Sequence, residues 1–171
     1  MLKKSIEVAL NQQINAEFHS AYLYLSMSSY LQSIGMAGCA NWMKVQYQEE
    51  LVHATRFFDY VVERGGRVEL SPIKEVIVNF KNVLDVFEET LRHEVTVTGL
   101  INNLMDICIN EGDHASKSFL QWFVDEQVEE EANVEQILHN LKLINGEGQG
   151  LLMMDREMQS RVFVNPFPAK A

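Results

Sequence analysis

Apolar residues recur every three to four positions through four long stretches of this chain. That period places them on one face of a helix, whereas a strand would show alternation. The first stretch runs from about residue 5 to 33, with Ser5 as the expected N-cap and Gly35 as the stop. The second covers about 36–64 and ends at "GG" (65–66). The third covers about 82–110 and ends at "EGD", and the fourth about 114–144, ending at "NGEGQG". A short amphipathic helix at about 149–159 follows, within "LLMMDREMQS", and then a tail at 160–171 with Pro166 and Pro168. Between the second and third stretches, "GRVELSPIKEVIVNF" shows no clean stripe and contains Pro72.

Each long helix has roughly 29–31 residues and so spans about 43–46 Å. Four helices of matched length predict an all-α four-helix bundle over residues 1–171 as a single domain. Short joints after the first and third helices make those pairs antiparallel neighbours. The middle connection is long enough to cross the bundle from end to end. One such crossover is the topology of ferritin-like bundles.

Every stripe is broken near mid-length by an acid. Glu17 interrupts Ile6, Leu10, Ile14, Ala21, Tyr24 and Leu31. Glu50 interrupts Met43, Tyr47, Ala54, Phe57 and Val61, with His53 at the stripe's border. Glu94 interrupts the third, and Gln127 with Glu130 the fourth. One acid on an apolar face is ordinarily salt-bridged at a bundle edge. Four at one height are a different matter, because burying an unpaired carboxylate costs on the order of several kcal/mol. No lysine or arginine lies on these stripes near the acids, so a cation from outside is the economical partner. Carboxylates with one imidazole suit iron or manganese better than a structural zinc.

Composition narrows this further. A net charge of −10 argues against a nucleic-acid surface and fits a particle that attracts cations, or plain solubility. Cys39 and Cys108 stand far apart in no CxxC pattern, as buried thiols in a reducing compartment would. No signal peptide or membrane span is legible, so the expected location is cytoplasmic.

At Glu17 with Tyr24, "EELVH" (49–53), Glu94 within "RHE", and "DEQVEEE" (125–131), the chain resembles the ferritin family, and within it the bacterial non-haem ferritins. Glu-x-x-His alone is a weak motif; the ordered set, spanning nearly the whole chain, is a strong one. Ferritin-like di-iron sites pair a Glu from each of two helices with Glu-x-x-His from the other two. Here the second such motif is replaced by Gln127-x-x-Glu130, a weaker position fit for iron turned over as substrate. Leu51 stands where bacterioferritins carry a haem-ligating Met, so no haem is expected. The CxxC module of rubrerythrins is absent. Unlike the mini-ferritins, which build their sites between subunits, the chain carries a full ligand set itself.

The resemblance implies a ferroxidase and iron store: Fe(II) is oxidised to Fe(III) by O2 or peroxide at a di-iron centre and deposited as mineral in a 24-subunit shell. It implies Glu17, Glu50 and His53 around one iron, and Glu50, Glu94 and Glu130 around the second, with Gln127 nearby. Glu49, Glu126 and Glu129, with Glu130, correspond to a third iron position; their ordinary reading is a solvated acidic face. Tyr24 would donate an electron or only a hydrogen bond. His93, off the stripe, reads as a surface residue. Glu111 and Asp113 are acidic candidates for an iron uptake route. The short last helix resembles the one lining the four-fold axis of such shells, its plainer reading being a packing flap. The rival readings are a di-iron oxygenase acting on an organic substrate and a shell whose acids merely nucleate mineral.

Overall fold

A computed structural model describes residues 2–167. It contains five helices among the described residues: α1 (Lys4–Ser33), α2 (Ala37–Glu63), α3 (Val83–Asn110), α4 (His114–Leu143) and α5 (Gly148–Met158). The four long helices fall within a residue or so of the ranges predicted from periodicity. None is long and apolar enough to cross a membrane. Helices α1 and α2 pack together, as do α3 and α4; α1 also meets α3, and α5 docks on α2.

The stops work by one device. After α1, the Gly35 N–H donates to the Gln32 carbonyl and the Met36 N–H to that of Leu31 (3.0 Å). This Schellman pattern needs a left-handed residue, and Gly35 has φ +79°. The same pairing closes α2 at Gly65 and Gly66 and α3 at Gly112 and Asp113. In α4 the left-handed position is Asn145 (φ 54°), the side chain that best tolerates it. Two starts are capped from the sequence: Asn82 accepts from the Asp85 N–H and Asp113 from the Ser116 N–H, both at 2.9 Å.

The expected cap at Ser5 is not formed. Lys3 is the N-cap and supplies no side-chain bond. The Ser5 hydroxyl instead donates to Glu111 Oε1 at 2.6 Å, where the α3–α4 joint meets the start of the chain. The rest of the tail, 168–171, lies outside the described residues.

The crossover has no regular structure over 66–80 and is strapped to the outer face of α1. Asn11 donates to the Arg67 carbonyl (3.0 Å) and accepts from the Glu69 N–H (2.7 Å). Asn15 donates to the Ser71 carbonyl (2.9 Å), and Ser26 to that of Ile77 (2.7 Å). Backbone groups that no ladder satisfies are thus held by one helix's polar side chains.

The core is split into two apolar clusters. One gathers Tyr24, Met27, Leu31, Met43, Phe87 and Leu141. The other gathers Ile6, Leu10, Ile14, Phe57, Ile101 and Leu120. The polar breaks in the four stripes lie between them.

Candidate metal centre

Six residues of that polar layer are buried: Glu17, Glu50, His53, Glu94, Gln127 and Glu130, each no more than 7% exposed. Helical spacing accounts for the first group. Glu50 and His53 sit one turn apart on α2, and Glu17 faces them from α1. One ligand atom from each lies within 4.8 Å of the other two, a spacing that a single cation can bridge. Glu50 Oε2 and His53 Nε2 are buried without any hydrogen-bond partner. The His53 ring is held edge-on by Trp122 (5.4 Å) and Phe123 (5.7 Å).

The other acids are supplied with donors. Glu94 accepts from the Tyr24 hydroxyl on Oε1 and from Gln127 Nε2 on Oε2 (3.2 Å). Gln127 also donates to Thr98 Oγ1 at 3.2 Å. Glu130 Oε2 accepts from Gln46 Nε2 at 2.9 Å, and Glu17 Oε1 from Gln13 Nε2 at 2.8 Å.

Burial and mutual repulsion set the protonation of this layer. Burial, with the neighbouring charge of Glu50, holds Glu17 well above the usual carboxylate range. Burial, with the charge of Glu94, does the same to Glu50. Glu94 is raised by burial, though Tyr24 and Gln127 pull it back. Glu130 is pushed up to about 8 by burial and then by Glu94. Burial and the charge of Glu94 also hold the Tyr24 phenol well above its ordinary value, so it keeps its proton and donates it. A layer of acids that resists ionisation when empty will release protons when a cation binds.

Glu49, Glu126 and Glu129 occupy the outer side of this layer. Glu49 and Glu126 are half-buried and Glu129 is exposed. Burial raises both Glu49 and Glu126 above the usual range, and the Glu49 charge contributes at Glu126. Glu49 is already paired: Arg161 Nη2 lies 2.7 Å from its Oε2.

Two sequence readings need correction. His93 is not a surface residue. It is half-buried, with Nε2 at 2.8 Å from Ser20 Oγ and its ring against Tyr24 and His19. Burial and the nearby His19 bring it down to about 4, which keeps it neutral. It lies off its own stripe yet fills the α1–α3 seam. Glu111 and Asp113 do not form a free acidic lining. Glu111 pairs with Lys3 (3.1 Å), and Asp113 with Arg64 (2.8 Å) while capping α4. No lysine or arginine lies on the stripes near the acids, as read; Arg161 reaches Glu49 from the tail instead.

Gln13 and Gln46 were passed over in the sequence although the signal was present. Each stands one turn before an acid on the same buried face, at i and i+4 to Glu17 and Glu50. A polar residue repeated at that spacing on two stripes marks the hydrogen-bonded rim of the layer.

A family model described as "Ferritin-like domain" matches residues 7–144. Bacterial non-heme ferritins of Bacteroides fragilis and Campylobacter jejuni are 40% and 39% identical to the chain. Each match covers 94% of this chain, with 100% of the first relative and 96% of the second. Among solved structures, a ferritin of the archaeon Archaeoglobus fulgidus engineered into a closed form superposes with a TM-score of 0.94. It is 48% identical over 96% of this chain and 100% of its own. The open-pore form of the Archaeoglobus fulgidus ferritin gives 0.93, at the same identity, over 95% of this chain.

Proposed function

The chain belongs to the ferritin family, and on that premise we propose that it oxidises Fe(II) and stores the resulting Fe(III). The observation that carries this is the buried group Glu17, Glu50 and His53, whose ligand atoms lie within 4.8 Å of one another, with His53 Nδ1 3.8 Å from a Glu50 Oε2 that has no hydrogen-bond partner. Buried polar atoms without partners are rare in native proteins. A carboxylate and an imidazole left open together have the ligand chemistry of a divalent iron site. Iron here is substrate.

Glu17, Glu50 and His53 hold the first Fe(II). Glu50, Glu94 and Glu130 hold the second, with Glu50 shared and Gln127 keeping Glu94 in place. Glu49, Glu126 and Glu129, with Glu130, form a third, outer position through which iron passes. Each Fe(II) gives up one electron. Two such electrons, with two protons, reduce O2 to hydrogen peroxide, and peroxide can serve as oxidant in turn. The residues fix the ions side by side and supply the negative charge that favours Fe(III) over Fe(II). The Tyr24 hydroxyl orients Glu94. Protons displaced from the raised carboxyls leave as the metals bind.

Assembly into a 24-subunit shell gives the Fe(III) a closed volume to mineralise in, and α5 takes part in shell contacts as the corresponding helix does in the family. The two free buried thiols, with Cys39 raised to about 12 and Cys108 to about 11 by burial, fit a reducing compartment such as the cytoplasm. The oxygenase reading finds less support. Cavities of about 740 and 380 Å³ that could take an organic molecule are lined by Leu25, Ser28 and Lys44, and by Gln12, His19 and His93. Neither is lined by the acidic layer.

The test is aerobic addition of Fe(II) to the assembled protein, followed by an oxygen electrode and by absorbance of Fe(III). Rapid oxygen consumption is expected in the wild type, and a fall on the order of a hundredfold in Glu50→Ala. An unchanged initial rate in that variant would remove the centre. Size-exclusion chromatography showing only monomer or dimer would remove storage.

A further inference from the structure

The segment after α5 carries no helical pattern, yet it returns to the acidic layer. It does so by running back along α2. Asn41 Nδ2 donates to the carbonyls of Met158 (3.2 Å), Gln159 (3.4 Å) and Arg161 (2.9 Å). The Arg161 guanidinium then lies over the Trp42 indole, 4.5 Å from its centroid, and Nη1 donates to the Trp42 carbonyl at 3.3 Å. Its Nη2 donates to Glu49 Oε2 at 2.7 Å and also to Gln46 Oε1.

Gln46 is fully buried, and its two amide ends are committed in opposite directions. With Oε1 against the guanidinium, Nε2 must face Glu130, to which it donates at 2.9 Å. Flipping that amide would set oxygen against carboxylate oxygen and nitrogen against guanidinium. One cation therefore touches Glu49 directly and fixes Glu130 through a single amide. Arg161 is a quarter exposed and Glu49 less than a fifth, so the pair is only partly screened by water. A guanidinium suits this place because it remains charged, stacks on an indole and presents several donors at fixed angles. Farther along, Phe167 packs edge-on against Trp122 at 4.3 Å, and Trp122 in turn meets His53.

Resting on the reading of Glu49 and Glu130 as ligands of the outer iron position, we propose that Arg161 is the built-in competitor for that position. Its guanidinium holds Oε2 of the Glu49 carboxylate, so a third divalent ion that takes that oxygen must displace it. Displacement frees the C-terminal segment from α2 and releases Gln46, and with it the orientation of Glu130. The outer position is thereby weak by construction, a place that iron passes through. The first inner position, held by Glu17, Glu50 and His53, lies outside the Arg161–Gln46–Glu130 chain of hydrogen bonds and stays tight.

The test is anaerobic titration of the assembled protein with Co(II), followed by calorimetry and by ligand-field absorption. The wild type should show two tight ions per subunit and a weaker third. In Arg161→Ala the third should tighten roughly tenfold, the scale expected when one competing, partly buried charge is removed, with the first, held by Glu17, Glu50 and His53, unmoved. Arg161→Lys, which retains the charge, should stay near the wild type. Amide exchange at 159–165 should quicken in the wild type as the third ion binds, and be quick from the start in Arg161→Ala. A third affinity that is unchanged or weakened in Arg161→Ala overturns the proposal. So does equal loss of melting temperature in both variants with no change in affinity, the mark of a purely structural role. Absence of the two tight ions in the wild type would instead overturn the di-iron reading itself, and this proposal with it.

Discussion

The two helical hairpins bring unequal halves to the acidic layer. From α1–α2 come Glu17, Glu50 and His53, with two buried atoms left unpartnered. From α3–α4 come Glu94, Gln127 and Glu130, whose acids are already met by hydrogen-bond donors. Two of those donors, Tyr24 and Gln46, reach across from the other hairpin. Burial is alike in both halves, but preparation differs. An unmet buried group costs about 1–3 kcal/mol, and a cation between Glu50 and His53 removes that cost at Glu50 Oε2, which faces His53 Nδ1 at 3.8 Å. The second half has less to gain, since a metal there must replace bonds already made. The lesson is that two positions of similar composition acquire different affinities from what the protein does in the metal's absence.

The largest effect that could break this comparison comes from removing its open side. His53→Ala should weaken the tighter Co(II) or Fe(II) position on the order of a hundredfold, and Gln127→Ala only the second, by about tenfold. Equal losses in anaerobic titrations of the two variants would mean that the halves are equivalent.

The pH dependence sharpens the same point. Glu130 is raised from 4.5 to about 8 in the folded chain. The folded form therefore holds a proton that the unfolded form releases. Stability linked to this group is full below pH 4.5 and is lost as pH rises toward 8. Metal-free protein should melt at progressively lower temperature across that window, and Glu130→Gln should flatten the slope. Saturating Co(II) should reverse the trend, because the ion binds the deprotonated acids. Differential scanning calorimetry at several pH values checks the sign. A wild-type slope matched by Glu130→Gln would place the linkage elsewhere.

The smallest expected change is in Tyr24→Phe. Loss of one hydrogen bond to Glu94 should cost about 1 kcal/mol, seen as a few-fold slower initial oxidation with metal stoichiometry intact. A loss as large as that of His53→Ala would show that the second half depends on its donors far more than its geometry implies.

Most of the fold was legible because helix length, stripe and stop are local properties. Gly35 and Gly65 ended their helices as read, and the third and fourth helices began within a residue of 82 and 114. The four acids were legible because each breaks a periodic apolar face, a contrast visible without knowing any neighbour. What failed was everything set by distant partners. Ser5 looked like a cap but is taken by Glu111, across the chain. His93 lies off its stripe, so periodicity assigned it to solvent; the α1–α3 seam encloses it instead. Arg161 sits in a segment with no period at all, 112 residues from Glu49. Nothing in a helical wheel predicts where an irregular tail comes to rest.

The crossover strapped along α1 also governs the order in which this chain can fold. Joints at 34–36 and 111–113 close each hairpin locally, whereas docking one hairpin on the other must first restrict the long segment between them, and loops of that length form contacts late. Each hairpin alone exposes its acids to water and carries too few to repel strongly. Only the last docking step drives Glu17 and Glu50 against Glu94 and Glu130. The unfavourable desolvation of the layer is thereby postponed until two apolar clusters close above and below it in the same event.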